Sequence, residues 1–347
     1  KYGFRGVLVE GWNTGWDGDW FANGWAFDFR KPTPDYDLPG LAAYAKSKGV
    51  HLIGHHETAC AVSHYERQMD EAFALFEKLG IDSVKTGYVC DAGQIERQDV
   101  EGGPVIREWH EGQFMSNHHL RVLLAAAKHH IAIDAHEPIK DTGLRRTYPN
   151  WVASEAARGN EFNAWSIGNQ PLHETILPFT RFMGGPMDYT PGVFKIKMSH
   201  YNKDKKEQVH TTLAKQLALY VVFYSPIQMA ADLPENYEAK LDAFQFIRDV
   251  ATDWDDTRIL AAEPGDYIVT ARKQKNSANW FVGGITDENS RTQAVDLSFL
   301  DAGVSYVASI YRDAPDAHWK TPGPTAVPVT RPRACRAAGS GPGSPRP

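Results

Sequence analysis

The chain has 347 residues, 42% of them hydrophobic and 23% charged, a globular balance with room for one large domain and a small one. A formal charge of −6 speaks against nucleic acid as a partner and suits a neutral or cationic ligand. Cys60, Cys90 and Cys335 are too few and too scattered for a disulfide framework or a thiolate metal site and read as buried free thiols. No apolar run approaches the roughly 20 residues that span a bilayer.

The opening Lys1-Tyr2-Gly3-Phe4-Arg5-Gly6 reads as the inside of a fold, so further sequence is expected upstream. Short apolar runs at 7–10, 51–56, 83–88 and 131–136 predict buried strands. Between them, 41–48, 65–79 and 117–130 carry helical spacing, with Met69, Ala72, Phe73 and Phe76 on one face. Gly49 and Gly80 stand where two of these helices should stop. Further strands are expected at 182–187 and 225–230, the second after a helix over 211–224. This alternation predicts parallel strands with crossover helices.

About six strands are counted where a closed (β/α)8 barrel needs eight, so the first one or two are expected upstream. An open doubly wound sheet is the alternative, disfavoured because no Gly-rich phosphate loop follows a strand. Residues 91–112 form the longest irregular connection and read as a solvated loop rather than a lid. Past Trp254 the pattern changes to short strands at 267–273, 280–285, 294–299 and 305–311, separated by turn residues. The predicted organisation is an α/β chain: a truncated (β/α)8 TIM barrel over 1–252, a small antiparallel β-sandwich domain over 253–330, and a disordered tail over 331–347.

His55-His56-Glu57 and His136-Glu137 close two predicted strands, and Lys85 lies at the end of a third, on the face where barrel enzymes build their sites. Paired carboxylates supply an acid and a base, and a surplus can hold a hard cation. A buried Lys85 requires an anionic or hydroxyl partner. Glu155 and Glu161, within 151–162, would each alone read as a solvated helix face. Trp12, Trp16, Trp20 and Trp25 follow the first strand amid Gly, Asn and Asp, and such rings either stack on sugars or pack a loop. Together these features read as a hydrolase of sugars. A different class, a zinc-dependent amidohydrolase-like barrel, would use His55, His56 and His136 as ligands.

Several longer motifs resemble the family-97 glycoside hydrolases, specifically their starch-utilisation α-glucosidase branch. They are Val9-Glu10-Gly11-Trp12-Asn13, His55-His56-Glu57-Thr58, Tyr65-Glu66-Arg67, Val84-Lys85-Thr86-Gly87-Tyr88-Val89 and Ala135-His136-Glu137. They continue with Arg146-Thr147-Tyr148-Pro149-Asn150, Glu155-Ala156-Ala157-Arg158-Gly159, Gly184-Gly185-Pro186-Met187-Asp188-Tyr189-Thr190-Pro191-Gly192 and Tyr224-Ser225-Pro226. The likeness covers about residues 1 to 325. It implies an N-terminal β-sandwich and first barrel strands without counterpart here. The segment 91–112 and the tail after about 330 also depart from the family pattern.

By this resemblance Glu161 is the general acid, and Glu57 and Glu137 are the bases that activate water. Calcium is held by Glu137, Glu155 and Glu161, and Glu10, His55, Lys85 and His136 contact the substrate. Retaining members carry an aspartate nucleophile two residues after the strand-exit lysine. Gly87 stands there, so the chain resembles the inverting branch, whose carboxyls lie roughly 6.5–9.5 Å apart to admit a water. Glu161 must then stay protonated beside a cation that lowers its pKa, which calls for apolar surroundings or neighbouring carboxylates. The implied substrate is an α-glucosidic oligosaccharide of the maltooligosaccharide or starch-derived kind. The implied location is periplasmic or secreted. A non-catalytic fragment of a glycosidase is the third reading, and oligomeric state is not legible.

Overall fold

The computed structural model describes residues 2–315, 317–320 and 329–336. They form two compact units. One comprises the chain up to Ala157 with Gly184–Asp188 and Ser225–Ile227; the other comprises Arg158–Met183, Tyr189–Tyr224 and the chain from Gln228 onward.

In the first unit, β1 (Gly6–Leu8) leads to a small antiparallel pair, β2 (Asn13–Thr14) and β3 (Asp28–Pro32). Next come α1 (Leu38–Ser47), β4 (His51–Glu57), α2 (Val62–Leu79) and β5 (Ser83–Gly87). A hairpin of β6 (Ile95–Arg97) and β7 (Ile106–Glu108) precedes α3 (Gln113–Lys128), β8 (Ala132–Ala135), the single turn α4 (Leu144–Thr147) and β9 (Trp151–Ser154). Five strands build one parallel sheet in the order β1-β4-β5-β8-β9, the barrel-type arrangement with crossover helices.

Helix α1 begins where the Asp37 carboxylate accepts the Gly40 amide at 3.0 Å. Gly49 and Gly80 follow α1 and α2 in left-handed conformation, φ 67° and 74°, which glycine adopts without a Cβ clash. The apolar face of α2 buries Met69, Ala72, Phe73 and Phe76, and Phe76 packs on the Trp12 ring, centroids 5.2 Å apart. Burying one such side chain stabilises the fold by about 1.5–3 kcal/mol.

Several expectations are corrected. Segment 182–187 is not a strand: Arg181–Met183 is a short 3-10 turn, and only Met187 bridges Ser154 in parallel. Segment 225–230 forms none either. Pro186 and Pro226 have no N–H to give a ladder, which disqualifies both runs from a sheet interior. The sequence 151–162 is no α-helix: it starts as β9 and ends in a 3-10 turn that begins at Asn160. The 91–112 connection is not irregular throughout, because it contains the β6–β7 hairpin, whose charges pair across strands as Glu96 with Arg107 and Arg97 with Glu108. Cys60 and Cys90 are not free thiols but a disulfide with Cα atoms 5.9 Å apart. Closing a loop between residues 30 apart, it stabilises the folded chain by about 3–4 kcal/mol in the chain-entropy picture.

The second unit holds helices α5 (Pro171–Ile176), α6 (Leu213–Val222), α7 (Pro234–Glu238) and α8 (Leu241–Asp249). It continues with the antiparallel sheet β10 (Trp254–Glu263), β11 (Tyr267–Gln274) and β12 (Trp280–Thr286). Strands β13 (Ser305–Tyr311) and β14 (Val329–Arg336) pair separately. Helix α6 starts at Thr212, whose hydroxyl accepts the Lys215 amide, and its last turn accepts Arg272 Nε through the Val221 carbonyl at 2.6 Å. No strand forms over 294–299, where Val295 is exposed and Asp296 turns the chain by accepting the Ser298 amide at 2.9 Å. The tail expected to be disordered is strand as far as Arg336; 337–347 lie outside the described residues. Among the described residues no helix is long and apolar enough to cross a membrane.

Candidate active site

Alternation along β4 sends His55 and Glu57 to one face and His56 to the other. His56 is buried against Phe73 and Phe76, the latter stacked at 5.1 Å, and its Nδ1 pairs with the Tyr65 hydroxyl at 3.0 Å. A zinc site of His55, His56 and His136 therefore does not form, since neighbouring strand residues cannot face one ion. His56 is core.

On the site face, register sets His55 beside Lys85, Lys85 beside Asp134, and Glu57 beside Gly87. Lys85 is buried and its Nζ donates to Glu10 Oε1 at 2.6 Å, the partner its burial demands. Burial resists ionisation of Glu10, and the positive side chains near it, Lys85 foremost where His55 is neutral, hold its pKa below the ordinary value. Burial drives the pKa of His55 down to about 3, reinforced by Lys85 and His136 against the pull of Glu10, so this imidazole is neutral. Its Nδ1 has no hydrogen-bond partner among the described residues. Trp12 is core, donating Nε1 to the His55 carbonyl at 2.7 Å, whereas the half-buried Trp16 lies 5.7 Å from the His55 ring and 4.9 Å from Trp20.

Two carboxylates meet at the exit of β5. Glu57 Oε1 accepts the amides of Ala59 at 2.7 Å and Val89 at 3.0 Å, and Glu137 Oε2 accepts the amide of Tyr88 at 3.0 Å. Adjacent amides thus hold the two acids side by side. Burial raises the pKa of Glu57 and the charge of Glu137 adds to it, against the two backbone donors. Glu137 itself has φ 41°, a strained conformation for a side chain of its size and typical of functional sites.

His136 Nε2 pairs with Asp188 Oδ2 at 2.8 Å, and its Nδ1 lies 3.4 Å from Glu155 Oε2. Burial and Lys85 oppose charge on His136; Asp188 and Glu155 overcome both and raise its pKa to about 10. Asp134 is buried with them, and burial together with the Asp188 charge pushes its pKa up, so Asp134 keeps its proton and Asp188 carries the negative charge. Neither aspartate stood out in the sequence as a site residue. The available signals were Asp134 two positions before His136 on a strand, and Asp188 within Gly-Gly-Pro-Met-Asp-Tyr.

Glu155 follows β9, its amide donating to the Ala135 carbonyl at 2.9 Å. His136, Glu137 and Glu155 each bring one ligand atom within 4.8 Å of the others. The two carboxylates suit a hard cation such as Ca2+, while a protonated His136 offers N–H groups and no lone pair. The donor set fits calcium through Glu137 and Glu155. Glu161 belongs to the second unit, in the first turn of the 3-10 segment Asn160–Ala164.

Two family models match: glycoside hydrolase 97 over residues 1–157, and glycosyl-hydrolase 97 C-terminal, oligomerisation, over 253–334. A retaining alpha-galactosidase of Bacteroides thetaiotaomicron is 34% identical over 85% of this chain and 42% of its own length. The chain belongs to glycoside hydrolase family 97. A probable retaining alpha-galactosidase of Streptomyces bingchenggensis is 29% identical over 88% of this chain and 40% of its own. A family 97 enzyme from Pseudoalteromonas sp. strain K8, solved in complex with acarbose and in complex with panose, has TM-score 0.92 and 53% identity, covering 97% of this chain and 51% of that one. This family 97 chain spans about half the length of these relatives.

The raised pKa of His136 makes its charge a source of stability at low pH, fully present below its unfolded value of about 6.5 and lost as pH rises through about 10. Asp188→Asn should leave His136 neutral at pH 8 in metal-free protein, where the wild-type ring stays protonated by nitrogen-15 NMR. The same protonation in both would remove Asp188 from this role.

Proposed function

We propose that this chain carries the catalytic barrel of an enzyme that hydrolyses α-glucosidic bonds in starch-derived oligosaccharides, with inversion at the anomeric carbon. Gly87 carries the reading. It occupies the position of the retaining members' aspartate nucleophile, and a Cβ built there would overlap Glu57 Oε2. A carboxylate from residue 87 and the observed Glu57 position are mutually exclusive. The relatives at 34% and 29% identity are named a retaining and a probable retaining α-galactosidase, whereas the 53%-identical enzyme was solved with panose, a trisaccharide of α-linked glucose.

In this reading Glu57 and Glu137 take a proton from water on the face opposite the leaving group. The raised pKa of Glu57 makes its carboxylate a stronger base than an ordinary glutamate. Glu161 protonates the glycosidic oxygen, a role it takes from the resemblance. Neutral His55 offers a donor and an acceptor, and His136 with the Lys85–Glu10 pair lines the site where sugar hydroxyls would bind. Trp16 offers an apolar ring face beside His55. Calcium held by Glu137 and Glu155, with Glu161 by resemblance, would supply fixed positive charge that orients the carboxylates and polarises a sugar oxygen. The Cys60–Cys90 bridge supports a periplasmic or secreted location, where thiols oxidise.

Proton NMR in the first minutes of α-glucoside hydrolysis should record the β-anomer of glucose. An initial α-anomer would assign a nucleophile elsewhere and overturn the inverting mechanism. Titration calorimetry on metal-free protein should show calcium binding, weakened at least about tenfold by Glu155→Gln. Zinc binding that survives this substitution, without calcium binding, would contradict the carboxylate site.

A further inference from the structure

The two amides that hold Glu57 come from separate loops. Ala59 lies beyond β4 and Val89 beyond β5, and both donate to Glu57 Oε1, at 2.7 and 3.0 Å. The residue after Ala59 is Cys60, the residue after Val89 is Cys90, and these two are bonded. The bridge therefore closes a ring one residue past each donor. The β4 exit is strained: Ala59 and Cys60 have φ 40° and 64°, left-handed values that non-glycine residues keep only where surroundings over-determine them. Thr58 ties the loops once more, its amide and hydroxyl both donating to the Gly87 carbonyl at 3.0 Å, but upstream of both donors. Beyond the donors, Cys60 gains the disulfide and a bond from the Glu96 amide to its carbonyl at 2.8 Å.

We propose that the Cys60–Cys90 disulfide is a positioning element for the Glu57 base. It holds the Ala59 and Val89 amides on one carboxylate oxygen, so opening it impairs turnover more than substrate binding. The inference rests on the reading of Glu57 as base. Reduction by dithiothreitol delivers two electrons and two protons to the bridge, leaving two thiols and the cyclic disulfide of the reagent.

The test compares the folded wild-type protein before and after dithiothreitol with Cys60→Ser/Cys90→Ser. Denatured without reductant, the wild type should take up one alkyl group on its three cysteines. Uptake of three would show no bridge and end the proposal. Opening the bridge should speed hydrogen exchange at the Ala59 and Val89 amides while β8 amides keep their protection. It should lower kcat about ten- to hundredfold with KM within about twofold. Reduction of folded protein gives the answer even if the double variant does not fold. Unchanged exchange at both amides, or unchanged kcat with the bridge demonstrably open, overturns the proposal. Should the intact chain turn over no α-glycoside, the glycosidase reading fails and the exchange arm alone decides the positioning claim.

Discussion

Everything at the site depends on two consecutive backbone amides. Tyr88 and Val89 leave β5 with their N–H groups directed at Glu137 and Glu57, which arrive from strands on either side of β5. The buried Glu57 and the half-buried Glu137 repel, and each loses hydration that protein dipoles must replace. Backbone donors supply that replacement with no net charge and little freedom to turn away. The parallel register makes the arrangement possible, because it ends β4, β5 and β8 at one level. Gly87 completes it: the space where a side chain would stand is filled by Glu57.

Around this pair the other charges are arranged in opposition. Lys85 neutralises Glu10, His136 neutralises Asp188, and His55 sheds its proton. Asp134 stays protonated beside Asp188, so the inner layer holds fewer ionised groups than its composition suggests. This is the pattern expected where buried titratable groups share a low-dielectric space and each sets its neighbour's protonation.

The sequence carried the alternation of strands and helices because β4, β5 and β8 are buried on both faces and read as apolar runs ending in charge. It carried Glu57, Lys85 and His136 through that same contrast. It did not separate His55 from His56, since adjacency in a strand means opposite faces and the sequence alone shows no facing partner. Neither the β6–β7 hairpin nor β9 was legible: the first is held by cross-strand ion pairs rather than apolar alternation, and the second buries only Trp151 and Ala153 and runs on into the polar Ser154-Glu155. The disulfide was missed because two cysteines 30 residues apart carry no signal until the loops they occupy are known to be neighbours. Asp188 was missed for a like reason: its partner, His136, is 52 residues away.

If Glu57 occupies the space that a side chain at position 87 would need, the smallest substitution there should displace it. Gly87→Ala adds one methyl group on the site face, away from the α2 core. The kcat of this variant on an α-glucoside, measured against the parent protein, should fall by about a hundredfold, since the base would move by about an ångström. A kcat within about twofold of the parent would contradict the amide-held pairing of Glu57 and Glu137 as the centre of the chemistry.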